Sequence, residues 1–303
     1  MKAVVCNKSG SSDVLNLVEV QKPFPLPGEI LVKVYASSVT RGDIHLRKMS
    51  RLILVPLGWI FGFKPMKITG VEFAGIVEET GSEVLKFKKG DRVFGTATGL
   101  CFGGNSEYLC VPEKHKKGVI THIPENVGFE TAAVTPVGGM TAHYILAKAG
   151  NLKGKKVLVY GASGSVGSFA VQLAKEYGAM VTGVCSKANM QMVRELGAAE
   201  VLDYTSGNFC KEPGPEYDVV FDAVGKISRS RCAGMLKSKG RFLSVKYPTS
   251  EKKQTLEYLA SLLSEEKLKP LIDREYSLGQ IKEAHDYVEK GHKRGNVLIK
   301  IGT

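Results

Sequence analysis

Val157-Leu-Val-Tyr-Gly161-Ala-Ser-Gly164-Ser-Val-Gly167 constrains the fold of this chain more than any other segment. An apolar β-like run enters three glycines spaced three apart. A helical pattern follows, in which Val166, Phe169, Ala170, Leu173 and Ala174 share one face. A turn of this kind leaves the first N–H groups of the helix free and lets the backbone approach a ligand closely, as a dinucleotide pyrophosphate requires. A glycine triplet alone is often just a turn. Here the strand before it, the helix after it and the next β-like run, Val181 to Cys185, all fall where a βαβ unit needs them. Gly161, Ser163, Gly164, Ser165, Val166 and Gly167 are therefore expected cofactor-binding residues.

The rest of the chain supports an α/β fold. Val157 to Tyr160, Val181 to Cys185, Val219 to Asp222 and Phe242 to Val245 alternate with helical stretches, the pattern of a doubly wound parallel sheet. The first third reads differently, as short strands (Lys2 to Val5, Ile30 to Tyr35, Phe73 to Glu78) between Pro- and Gly-bearing turns. The last fifty residues carry helices at Thr255 to Glu266 and Gln280 to Lys290, then a strand at Asn296 to Ile301. With 303 residues the chain has room for two domains. We expect an all-β domain over 1–123, a nucleotide-binding domain over 124–250 and a return segment over 251–303.

The end of the second strand bears on which nicotinamide cofactor binds. An NAD site places Asp or Glu there, on the ribose 2′-hydroxyl. No acidic residue lies between Glu176 and Glu195, and the strand ends in Cys185-Ser186-Lys187. A hydroxyl and a cation suit the 2′-phosphate of NADPH; alternatively Ser186 caps the next helix and Lys187 is solvated. A net charge of +12 also favours anionic partners, but no arginine-rich or aromatic-interleaved basic tract points to nucleic acid. The six cysteines form no CxxC pair, so neither a disulfide framework nor a four-cysteine zinc lobe is expected. The N-terminal segment turns polar at once, unlike a signal peptide, which leaves a cytoplasmic location as the expectation.

Residues 161 to 175 resemble the cofactor loop and helix of the quinone oxidoreductase-like (zeta-crystallin-like) branch of the medium-chain dehydrogenase/reductase superfamily. The likeness extends over Glu72 to Val77, Phe87 to Phe94, Gly139 to Leu146, Leu196 to Tyr204, Phe221 to Gly225 and Asp273 to Lys300. It implies a GroES-like N-terminal β-barrel domain, a Rossmann domain and a C-terminal segment returning to the first. It also implies that Ser186, Lys187 and Tyr204 surround the adenosine ribose, while Thr141 and the loop Ala223, Val224, Gly225 lie near the nicotinamide. Tyr204 could equally be a half-buried aromatic, and Thr141 could back-bond within its helix.

Departures from the family pattern matter as much as matches. Zinc-dependent relatives carry Cys at the position of Thr40 and His at that of Val71, and insert a cysteine-rich lobe that is absent here. Thr and Val cannot replace thiolate and imidazole, so no metal is expected. Without that Lewis acid, hydride delivery to an electron-poor quinone or enone is favoured over alcohol oxidation. The expected reaction is transfer from C4 of NADPH in a cleft between the domains, with Thr40, Arg41 and Trp59 as substrate-pocket candidates and Asp43 as a structural acceptor or pocket group. Leu52 to Phe63, an uncharged run flanked by Arg and Lys, reads as core or pocket wall, or as a substrate mouth touching a membrane surface. A different class of function is a non-catalytic NADPH sensor or an RNA-binding relative. Between Tyr247 and Gln254 the further helix and sixth sheet strand of the relatives are missing: either the edge strand is deleted and a monomer or weak homodimer is expected, or the sequence as given omits a stretch of the native chain and the protein dimerises as its relatives do.

Overall fold

The computed structural model describes residues 1–50, 68–97, 103–114, 118–206 and 216–302. Trp59 and the apolar run 52–63 lie outside the described residues. The chain forms two compact units, Met1–Val137 with Glu251–Ser264 and Ile272–Thr303, and Gly138–Ser250 with Glu265–Leu271.

In the first unit, β1 (Lys2–Cys6) and β2 (Leu15–Glu19) form an antiparallel pair. A seven-stranded sheet is built around β3 (Glu29–Ser38) and β4 (Glu72–Thr80), followed by β5 (Arg92–Thr96), β6 (Tyr108–Pro112) and β7 (Ile120–His122). Alternate positions drive its curl. Ile30, Val32 and Val34 on β3, Leu109 and Val111 on β6, and Phe73, Val77, Val93 and Ile120 meet in one buried cluster, as a period of two requires. Helix α1 (Arg41–Lys48) follows β3 directly, and the short α2 is Phe129–Ala133. The return segment completes the sheet with two further strands, Ile272–Ser277 and Asn296–Lys300.

Helix α3 (Pro136–Ala147) leads into the second unit, where β8 (Lys156–Tyr160), β9 (Met180–Cys185), β10 (Glu200–Asp203), β11 (Tyr217–Asp222) and β12 (Leu236–Ser244) form a parallel sheet in the order β10-β9-β8-β11-β12. Val157, Leu158, Val159, Val184, Val220 and Phe221 are 0% exposed, the unbroken apolar runs of a sheet covered on both faces. Helix α4 (Ser165–Glu176) joins β8 to β9 and α5 (Met190–Glu195) joins β9 to β10. The sequence suggested a one-sided α4. The helix is instead buried around its circumference from Gly167 to Ala174, because the stretch 265–271 covers the outer face and Gln172 exchanges bonds of 3.1 and 2.7 Å with Lys269. The connection from β11 to β12 also differs from the expected helix: it holds only a 3-10 turn at Ala233–Met235. Among the described residues no sixth strand follows β12, which forms the sheet edge.

Helix α6 (Lys253–Ser264) returns the chain to the first unit. There β13 (Ile272–Ser277), α7 (Ile281–Lys290) and β14 (Asn296–Lys300) follow, with β14 pairing parallel to β13 and antiparallel to β3. No described helix is long and apolar enough to cross a membrane.

Candidate cofactor and active site

The glycine turn sits at the carboxyl ends of β8 and β9, and its three glycines are required for different reasons. Gly161 adopts φ +78°, and its amide and that of Ala162 donate to the Val184 carbonyl. A Cβ on Gly161 would lie 2.0 Å from Cγ2 of Val224. Gly164 caps the start of α4 with extended backbone (φ −82°, ψ 178°) and donates to the Gly161 carbonyl at 3.0 Å. A Cβ there would meet only that carbonyl oxygen, at 3.5 Å, so the surface above it is open. Gly167 is the packing glycine: its Cβ would fall 2.0 Å from the Gly161 oxygen. Ser163, Ser165 and Val166 are partly exposed around this opening. A cradle that a side chain would fill at Gly164, on the positive end of a helix, fits a pyrophosphate.

The loop after β11 closes one side. Buried Asp222 organises it, its Oδ1 accepting from the amides of Val224 (3.2 Å) and Gly225 (2.8 Å), while the Ala223 amide donates to Tyr160. Thr141 lies on α3, one turn beyond Gly138, where a Cβ would crowd Ser165 Oγ at 2.6 Å. Its hydroxyl makes no hydrogen bond to a described residue, so it does not back-bond.

At the end of β9, Ser186 makes no capping bond; its hydroxyl accepts from Asn189 Nδ2 at 3.2 Å, and Lys187 is exposed. Tyr204 is 43% exposed, with its ring 6.2 Å from that of Tyr160. The sequence reading missed one neighbour. Asp203, at the end of β10, pairs in register with Cys185. Bonds from the Thr205 hydroxyl and amide, with help from Lys187, hold its carboxyl below the usual range. Scanning only the stretch after β9 for an acid could not find a carboxylate delivered by the adjacent strand.

The first unit gathers a second set of polar groups. Thr40 forms a capping box with Asp43: its hydroxyl and amide donate to Asp43 Oδ2 at 2.6 and 2.8 Å, and the Asp43 amide returns a bond. Asp43 is 1% exposed. Burial pushes its carboxyl up to about 6, with the Thr40 bonds opposing. Arg41 turns away, reaching toward the last carbonyls of α7, Val288 and Glu289, at 3.5 Å each. Glu72 went unweighed in the sequence and is equally buried. Its carboxylate accepts from the Ser38 hydroxyl and from the Val137 amide at 2.8 Å. Burial raises it to about 7, against those bonds and the nearby Lys293. Burial likewise lowers Lys293 to about 8.

A tetrahedral zinc does not fit this set. The Thr40 hydroxyl is committed to Asp43, Val71 packs against Leu46 and Val137, and no described group of three His, Cys, Asp or Glu converges.

Comparison with known proteins agrees with this architecture. An alcohol dehydrogenase GroES-like domain family matches residues 26–156, and a zinc-binding dehydrogenase family matches residues 165–274. A chloroplast envelope quinone oxidoreductase homolog of Arabidopsis thaliana is 33% identical, covering 96% of this chain and 95% of its own. A 2-methylene-furan-3-one reductase of Solanum lycopersicum is 31% identical, over 99% of this chain and 79% of its own. The solved quinone oxidoreductase of Coxiella burnetii superimposes with a TM-score of 0.87 at 29% identity, over 100% of this chain and 99% of that one. The chain belongs to the medium-chain dehydrogenase/reductase superfamily of nicotinamide-dependent oxidoreductases, in its quinone oxidoreductase-like branch.

Proposed function

We propose that this protein is a metal-free, NADPH-dependent reductase of quinones or α,β-unsaturated carbonyl compounds. The observation that supports the cofactor half is the end of β9, where Ser186 makes no capping bond and Lys187 is exposed, a hydroxyl and a cation suited to a 2′-phosphate. NADPH, when bound, supplies hydride; the protein supplies position and surroundings. The open face at Gly164 would hold the pyrophosphate, Ser163, Ser165 and Val166 would flank it, and Thr141 with Ala223 to Gly225 would face the nicotinamide end. Reduction also consumes a proton. Glu72 is a buried carboxyl that burial brings to about 7, so that it can take up and release a proton near neutral pH, in the unit that carries Thr40. The quinone and enone classes are supported by the relatives named above.

Oxidation of NADPH measured against a panel of quinones, enals and enones tests this reading. Turnover with at least one class is expected. Binding of NADPH without turnover of any acceptor would return the sensor reading.

A further inference from the structure

A groove of about 400 Å³ lies in the first unit, lined by residues 111–114 at the end of β6, 118–120 entering β7, Lys86 and the stretch 251–254 that leads into α6. It shares no residue with the glycine turn or with the Thr40–Glu72–Lys293 cluster. Four lysines line it, Lys86, Lys114, Lys252 and Lys253, against two acids, Glu113 and Glu251.

Both acids are spent on the protein itself. Glu113 Oε1 accepts from the amides of Leu85 and Lys86, and Glu251 Oε2 accepts from the Thr96 hydroxyl at 2.9 Å and the Gly118 amide at 3.2 Å. Accepting from these neutral donors leaves both carboxylates charged, so four ammonium groups face two carboxylates and the wall keeps a surplus of two positive charges. Lys86, Lys114 and Lys252 make no ion pair with a described residue, and Lys253 has only a 3.7 Å contact to Glu257 and the Phe87 ring at 5.7 Å. Ammonium groups gathered on one concave wall repel each other and focus positive potential, and an entering anion relieves that repulsion. Lysine acts toward phosphate as a mobile point charge, which suits an open groove better than the bidentate fork of arginine.

We propose that this groove is a second ligand site, specific for multiply charged phosphate groups, whether on a free metabolite or on a lipid headgroup. Binding at a solvent-open site is fast in exchange and weakens with salt.

Calorimetric titration with inorganic pyrophosphate tests it on the full chain, on the double variant Lys86→Ala/Lys252→Ala and on Lys187→Ala. The last separates the groove from any phosphate bound at the cofactor turn. Lys187→Ala is expected to keep a pyrophosphate site that the double variant weakens about tenfold or more, the worth of one lost charge-assisted contact. The double variant should melt like the parent, because both lysines are exposed. Sedimentation with phosphatidylcholine vesicles, with and without phosphatidic acid, whose phosphomonoester headgroup is multiply charged, distinguishes the sources. Lysine-dependent binding to the anionic vesicles assigns the lipid headgroup, and binding of pyrophosphate alone assigns a soluble ligand. The proposal is overturned if the parent binds neither probe, or if the double variant binds both as the parent does.

Discussion

Substituting alanine at Gly164 and at Gly167 should separate cofactor binding from stability within one turn. At Gly164 the backbone angles suit any residue and the new methyl meets one oxygen at 3.5 Å, an ordinary contact. Alanine is a poorer N-cap than glycine, but it restricts the unfolded chain by about 0.4–1 kcal/mol. The two effects offset, so stability should change by no more than about 0.5 kcal/mol. The methyl does project over the open face, where overpacking against a bound pyrophosphate costs roughly 1–3 kcal/mol. That corresponds to about a five- to hundredfold loss of NADPH affinity. At Gly167 the methyl would lie 2.0, 2.8 and 2.9 Å from the Gly161 oxygen, the Gly161 carbon and the Ala162 Cα. Backbone atoms cannot rotate aside, so α4 must lift from the turn, at about 1–3 kcal/mol or more. Each kcal/mol lowers Tm by roughly 2–4 °C in a domain of this size. Thermal melts by circular dichroism and fluorescence titration with NADPH read the two effects. If Gly164→Ala melts as early as Gly167→Ala, or binds NADPH like the parent, the assignment of the open face to the pyrophosphate is wrong.

Other outcomes follow from the same geometry. Lys187→Ala should weaken NADPH about tenfold or more by loss of a charge-assisted contact and leave NADH little changed, whereas Asp203→Asn should shift preference further toward NADPH; equal losses for both cofactors in Lys187→Ala would remove Lys187 from the 2′-phosphate. Metal analysis should find no stoichiometric zinc, and activity should survive chelation; one zinc per chain with chelator-sensitive activity would contradict this. His285 is wholly buried, its ring nitrogens have no hydrogen-bond partner among the described residues, and burial lowers it from 6.5 to about 3, so the folded state keeps it neutral while the unfolded state protonates. Its contribution is therefore full above pH 6.5 and falls as pH drops toward 3, by at most about 1.4 kcal/mol per pH unit; His285→Leu should flatten that acid limb in pH-dependent urea unfolding, and an unchanged slope would dismiss the residue as its source. Light scattering should show a monomer or weak dimer, since Lys246, Pro248, Lys252 and Lys253 follow the exposed edge strand β12 and discourage pairing; a tight dimer joined through β12 would refute it.

The second unit was legible because its signals are local. Strand, glycine spacing and helix lie within twenty consecutive positions, and the expected strands Val157 to Tyr160 and Val181 to Cys185 differ from β8 and β9 by a single residue at the start. What escaped was non-local. Asp203 reaches Cys185 only through sheet pairing, and Glu72 and Lys293 meet only once β3, β4 and the return segment are assembled. The all-round burial of α4 likewise depends on Lys269, nearly a hundred positions downstream. Helix α1 was overlooked because Arg41-Gly-Asp carries no apolar period, although Thr40 and Asp43 stand three apart as a capping pair.

The pairing of β14 with β3 has a bearing on how the protein is made. Ser38 waits for Leu298 before the first sheet can close, and α1 waits for α7, to which Arg47 is tied through Glu289. The five parallel strands of the second unit fall within Lys156 to Ser244 and need only the short stretch 265–271 from beyond them. During synthesis the nucleotide-binding unit can therefore form while the earlier-made barrel strands are still missing a neighbour. The open edge of β3 at residues 36–38 and the apolar face beneath α1 persist through that interval, which makes the N-terminal half the part most exposed to chaperone capture and to aggregation of truncated chains.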